Sequence, residues 1–130
     1  MATITGLLDE ARTVGIADDV TGDEALEVVR ALVMLRNLAD HLAATVTGVL
    51  DQCGVTKAQR RTLHAVLMSL GCAPGVATRW IRIGRALGGL PTLAAHCADG
   101  AVSGEHVDAI VRGLNQIGLR AGEAPDAETW

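Results

Sequence analysis

The sequence contains no phenylalanine and no tyrosine, and its aromatic side chains are two tryptophans. Its hydrophobic fraction of 49% therefore rests largely on Leu, Val, Ile and Ala. Strands draw on aromatic and β-branched residues, whereas Ala and Leu are good helix formers, so this composition favours helices. A chain of 130 residues is long enough to bury one ordinary core. We predict an all-α fold.

Cysteine is scarce, and its spacing is not that of a disulfide framework or a zinc site. Cys53, Cys72 and Cys97 are an odd number with no C-x-x-C pair, so we interpret them as single buried thiols. The N-terminus has no basic and apolar leader, and no segment approaches the roughly 18 apolar residues of a membrane span. We therefore expect a cytoplasmic protein with no metal, no cofactor, no membrane partner and no evident small-molecule substrate.

One long helix is the clearest element of the sequence. Thr21 and Glu24 form a capping-box pattern, and the predicted helix runs over about 22–53, ending near Gly54. Its apolar residues alternate in steps of four and three, which is the spacing of a heptad seam. The seam consists of Val28, Leu32, Leu35, Ala39, Leu42, Val46 and Val49, followed by Cys53. No other segment is as long, so the seam faces either two shorter helices or a second copy of the chain.

Shorter helices are predicted after the long one. Thr56 and Gln59 form a second capping-box pattern that predicts a helix over 57–70, and Pro74 suits the first turn of another over 74–87. Two shorter helices follow, over about 91–98 and after the cap residue Ser103. The fold class is thus a helical bundle with one long helix and a helix-turn-helix-like pair. We expect a single domain over 1–118, and over 119–130 a flexible tail or the start of a further region.

Positive charge is confined to the middle of an acidic chain. The net charge is −4, yet residues 52–98 contain no Asp or Glu and six cations. Two consecutive basic helices would bring these cations onto one surface, and such a surface attracts phosphate backbones. The candidate nucleic-acid-binding residues are Lys57, Arg60, Arg61, Arg79, Arg82 and Arg85. The alternative is that these are solvated charges paired with acidic neighbours on the long helix.

The order of features over residues 25–117 resembles the 13E12 repeat family, domain of unknown function 222, often found ahead of an HNH nuclease domain. The resemblance rests on the long helix, SLGCAPGVATRWIRIGRAL at 69–87, LP at 90–91 and GAVSGEHVDAIVRGL at 100–114. It implies an all-helical domain associated with DNA transactions. Leu90-Pro91, Gly100, Ser103 and His106 also resemble part of the ParB-type helix-turn-helix.

No catalytic residue is predicted. An HNH site needs an Asp-His pair with a metal, and Asp40-His41 lies inside the long helix without a partner motif, so we interpret it as surface. Two functional hypotheses remain open. The first is a non-catalytic nucleic-acid-binding or accessory domain of an HNH-nuclease-associated protein. The second is a protein-interaction module that dimerises through the seam and binds no nucleic acid.

Overall fold

A computed structural model describes the backbone of residues 2–121 and their side chains, except the side chains at 2, 55, 59 and 119–121. This part of the chain contains seven α-helices and no strand, which confirms the all-α prediction. The helices are α1 (Ala2–Thr13), α2 (Gly22–Gln52), α3 (Val55–Gln59), α4 (Leu63–Ser69), α5 (Pro74–Ala86), α6 (Pro91–Ala98) and α7 (Gly104–Ala121). A 3-10 turn, Leu87–Gly89, follows α5.

The chain divides into two compact units, and the boundary falls inside α2 between Ala31 and Leu32. The first unit contains α1 and the first turns of α2. The capping box that starts α2 forms as predicted, because Thr21 Oγ1 accepts from the Glu24 N–H and the Glu24 carboxylate accepts from the Thr21 N–H, both at 3.2 Å. The expectation of one domain over 1–118 stays a prediction.

The core of the second unit lies around α5. Its buried members come from α2, α5, the 3-10 turn and the residue after it, α6 and α7: Ala44, Ile83, Leu87, Leu90, Cys97, Val107 and Val111. Trp80, Leu93 and Leu114 are partly buried at its edge. In the absence of Phe and Tyr, small and branched aliphatic side chains fill this core, as the composition predicted.

The prediction of one helix over 57–70 is wrong, because the chain breaks at Arg60. Arg60 adopts a left-handed conformation with φ 53°, and its N–H bonds to the carbonyl oxygens of Thr56 and Lys57, which closes α3 after a single turn. Thr62 then caps a new helix, since its Oγ1 accepts from the Ala65 N–H at 3.1 Å. Thr62 is extended and its side chain caps the helix directly, so α4 begins there.

The later helices lie close to their predicted positions. The helix expected at 74–87 ends at Ala86, and the one expected at about 91–98 is α6. Ser103 Oγ accepts from the His106 N–H at 3.2 Å, which confirms Ser103 as the cap of α7. This helix extends to Ala121, three residues into the predicted tail, and positions 122–130 lie outside the described residues.

Candidate functional site

The inner face of α2 in the second unit is polar or small. Asn37, Ala44 and Thr47 are the buried residues of this helix, and Gly48 is partly buried beside them. Asn37 Nδ2 donates to the carbonyl oxygen of Gly100 at 3.0 Å. At 100° per residue these positions fall on one side of α2. The buried residues of the long helix are therefore polar or small, while two of its large aliphatic side chains, Met34 and Leu38, lie close to Gly100.

Two glycines explain why this stripe, and not the apolar one, faces the core. A Cβ on Gly84 of α5 would lie 2.5 Å from the Ala44 carbonyl oxygen and 3.0 Å from the Gly48 nitrogen. A Cβ on Gly48 would lie 3.0 Å from the Gly84 carbonyl oxygen. The two backbones cross in direct contact, and only residues without side chains permit that approach.

The heptad seam lies on the opposite side of α2 and is exposed. Within the second unit the exposed fractions are 56% for Leu32, 56% for Leu35, 52% for Leu42, 48% for Val46 and 53% for Val49. Ala39 in the same stripe is exposed, and so is Val28 in the first unit. The possibility that shorter helices of this chain cover the seam is not realised in the part of the second unit that the structure describes. An exposed apolar stripe of this length is typical of an interaction surface.

The borders of the seam are mostly uncharged. The flanking positions one residue before or after the seam include Leu38, Ala43, Thr45 and Leu50. Arg36 and Asp40 are charged residues at these positions, and both are ion-paired within the second unit, Arg36 with Glu105 of α7 and Asp40 with Arg79 of α5. The seam thus presents an apolar face without a net charge that would favour an acidic or a basic partner.

The three arginines of α5 form ion pairs inside the chain. Arg82 Nη1 donates to both carboxylate oxygens of Asp108 on α7, at 2.7 and 2.9 Å. Arg85 donates to both oxygens of Asp51 on α2, at 2.8 and 3.3 Å. The alternative interpretation, pairing with acidic neighbours on the long helix, therefore describes Arg85, whereas the carboxylate that binds Arg82 comes from α7.

Arg79 belongs to the same set of contacts and is the most enclosed of the three. Its side chain is 16% exposed, and its guanidinium nitrogens lie 3.7 Å from Asp40 and 3.7 Å from Glu105. Asp40 also accepts from Trp80 Nε1 at 3.0 Å. The prediction of Asp40 as a surface residue is wrong, because its side chain is 12% exposed and bridges α2 to α5.

Two carboxyl groups in these pairs have altered acidity. The hydrogen bond from Arg85 lowers the pKa of Asp51 below its usual value of 3.8. The pKa of Glu105 is lowered by a hydrogen bond from its own backbone N–H, and further by Arg36 and Arg79. Both shifts favour the charged carboxylate and hence the ion pairs that join α2, α5 and α7.

The other three candidate cations lie around the break between α3 and α4. Lys57, Arg60 and Arg61 are exposed and line an open concavity together with Arg85 and Asp51. Arg61 also donates to the Ala65 carbonyl oxygen at 3.1 Å. Asp51 is already bound by Arg85, so Lys57, Arg60 and Arg61 leave this concavity with net positive charge. The six predicted residues therefore divide into an ion-paired set on α5 and a solvent-facing set at 57–61.

The three cysteines differ in their exposure to solvent. Cys97 is buried, Cys72 is partly buried and Cys53 is exposed, so the expectation of buried thiols is wrong for Cys53. Burial raises the pKa of the Cys97 thiol, which suits a structural role. Within residues 2–121, no three His, Cys, Asp or Glu side chains are grouped so that they could hold a metal ion.

Comparison with known protein families, with curated proteins and with solved structures found no match to this chain. The resemblance to the 13E12 repeat family therefore stays a prediction. None of the helices in the described part of the chain is both long and apolar enough to cross a membrane.

Proposed function

We propose that this chain is a helical protein-interaction module that self-associates through the exposed seam of α2. One observation carries the proposal: α2 packs on its own core through Asn37, Ala44, Thr47 and Gly48, while its heptad stripe is left half exposed. Proteins usually bury the more apolar face of a helix, so the reversed arrangement indicates a second packing partner. The seam is the part of the molecule that such a partner would cover.

The energy available in the seam fits a reversible dimer. Burying the exposed half of a Leu or Val side chain is worth about 1 kcal/mol. Five such residues from each of two copies give about 10 kcal/mol, which is comparable to the ~4–15 kcal/mol that association costs in lost freedom. We therefore expect monomer and dimer to exchange with concentration rather than a dimer that never dissociates.

Sedimentation equilibrium over a wide concentration range tests the proposal. The test variant is Leu42→Glu, which places a charge in the middle of the seam without disturbing a buried residue. The matched control is Ile110→Glu, because Ile110 is 44% exposed on α7 and lies outside the seam. We expect the unmodified chain and the control to dimerise and Leu42→Glu to stay monomeric. A monomer at every concentration, or equal effects of the two substitutions, would contradict the proposal.

A second candidate function is nucleic-acid binding, as the sequence suggested for a domain that accompanies an HNH nuclease. The observation that favours it is the concavity in which Lys57, Arg60 and Arg61 face solvent beside an already paired Asp51. Phosphates would release counterions on binding there. Arg79 and Arg82 would first have to leave their carboxylates, so the revised candidate contacts are those at 57–61.

The proposed cellular setting is the cytoplasm, which the free state of all three cysteines supports.

Duplex-DNA binding at low and moderate salt tests this second candidate. We expect the double variant Arg60→Ala/Arg61→Ala to bind more weakly and to reduce the slope of log affinity against log salt by about two. The matched control is Arg12→Ala/Arg30→Ala, which removes the same charge from two exposed pairs in the first unit. Absence of binding at low salt, or an equal loss in the control, would contradict it.

A further inference from the structure

We infer that two copies of this chain pair their α2 helices antiparallel, with the two-fold axis between Ala39 and Leu42. The inference rests on the proposed self-association and names its partner geometry. It applies to the seam of the second unit, from Leu32 to Val49. An isologous two-fold contact is the commonest way in which identical chains associate, and it requires a surface that is complementary to itself.

The order of residue sizes along the seam provides that complementarity. Reading one α2 forwards and the other backwards about the proposed axis places Leu32 against the partner's Val49 and Leu35 against the partner's Val46. The same register places Ala39 against the partner's Leu42. Every layer then combines one leucine with a smaller side chain, so the volume per layer varies little along the contact. Even filling of this kind is what close packing requires.

The parallel arrangement fills the same contact unevenly. Each residue would then face its own copy, which gives a layer of two alanines at position 39 and a layer of two leucines at position 42. An alanine pair in the middle of a seam leaves a gap, and unfilled volume in a packed interface costs stability. The antiparallel register avoids this gap because Ala39 and Leu42 share a layer.

The seam is also equally available at both of its ends. Leu32 is 56% exposed and Val49 is 53% exposed, so the helices described in the second unit cover neither end. A straight helix of 18 residues spans about 27 Å, and the α1 helix of 12 residues would cover only about two thirds of it. The charged residues at its borders, Arg36 and Asp40, are already paired within the second unit, which favours another copy of the same apolar face over a charged partner. A second α2 matches this surface in length, exposure and charge.

Disulfide trapping tests the register. The starting chain carries Cys53→Ser and Cys72→Ser and keeps Cys97, which is 2% exposed. Leu32→Cys with one affinity tag is co-expressed with Val49→Cys carrying another tag, and the mixture is oxidised. In the proposed register the cysteine at position 32 of one copy faces the cysteine at position 49 of the other. In a dimer of Leu32→Cys alone, the two residues at position 32 would lie about 26 Å apart along the helices. We expect a linked dimer that carries both tags and no linked dimer from either variant alone. The control pair, Leu32→Cys with Ile110→Cys, should stay unlinked.

The possible outcomes separate this inference from the proposed function. A linked dimer from Leu32→Cys alone would show a parallel pair and overturn the inference. A dimer in sedimentation that forms no mixed disulfide would also overturn the register, while self-association itself would stand. A chain that sediments as a monomer at every concentration would remove the proposed function and this inference together.

Discussion

Gly48 on α2 and Gly84 on α5 lie in backbone contact, since a Cβ on either glycine would come within 3.0 Å of the other residue's main chain. This crossing determines which face of the long helix is turned inward. The backbones can approach so closely only where side chains are absent, and the stripe that contains Gly48 is the polar and small one. The apolar seam is consequently left on the outer side of α2.

Gly84→Ala should lower the free energy of unfolding by about 2–3 kcal/mol, because the added methyl would overlap the Ala44 carbonyl oxygen and force the helices apart. Chemical denaturation followed by circular dichroism measures this change. Gly75→Ala in the same helix is the control. Nothing lies within 4 Å of a Cβ at Gly75, so helix propensity alone should make this variant neutral or slightly more stable. Equal effects of the two substitutions would show that the crossing is not tight.

Sequence reasoning predicted the helices well wherever a cap and a long apolar pattern agreed, as at Thr21 and Ser103. It failed at residues 57–70, where the capping-box pattern of Thr56 and Gln59 suggested one helix. The structure begins α3 after Gly54 with no side-chain cap hydrogen bond and begins α4 after Thr62 with one. Competing cap residues six positions apart cannot be ranked from local sequence alone, because the choice depends on how each short helix packs.

Thr62→Ala should destabilise the chain by about 1 kcal/mol, since it removes the hydroxyl that accepts from the Ala65 N–H at the start of α4. Thr56→Ala is the matched control, because Thr56 lies inside the single turn of α3 and no side-chain cap starts that helix. Thermal unfolding of both variants measures the difference. A larger loss for Thr56→Ala would indicate that the predicted capping box, rather than Thr62, stabilises this region.

The charges show a different limit of sequence reasoning. The acid-free segment correctly indicated where the cations are concentrated, but it could not show which carboxylates reach them. Arg82 and Asp108 are 26 positions apart, and Arg85 and Asp51 are 34 apart, so these pairs follow from the tertiary packing of α5 against α7 and α2. The orientation of the seam depended on the same packing. Periodicity predicted a stripe along α2 but could not show that this stripe faces outward.

Asp108→Asn should lower the free energy of unfolding by about 2 kcal/mol. Asp108 is 8% exposed and accepts from Arg82 while Arg112 Nε lies 3.3 Å away, so its loss leaves two cations without their shared carboxylate. Asp9→Asn is the control, because Asp9 pairs with Arg12 at a site where both side chains are 68% exposed. Such exposed pairs contribute about 0–1 kcal/mol. Denaturant titration of the two variants compares them, and similar losses would contradict a structural role for the α5 pairs.

Acid should weaken the second unit through Asp51 and Glu105. Both carboxyl groups have pKa values below their usual 3.8 and 4.5, the first chiefly through the Arg85 hydrogen bond and the second chiefly through its own backbone N–H. A group whose pKa is lowered by folding stabilises the folded state above its unfolded pKa, and that contribution is lost as the pH falls through the folded pKa. The free energy of unfolding should therefore decline as the pH is lowered from about 4.5.

In Asp51→Asn/Glu105→Gln the decline should be shallower, because two of the titrating groups are gone. Denaturant titrations at neutral and acidic pH measure both slopes, and identical slopes would show that these two ion pairs do not contribute to the acid sensitivity of the fold.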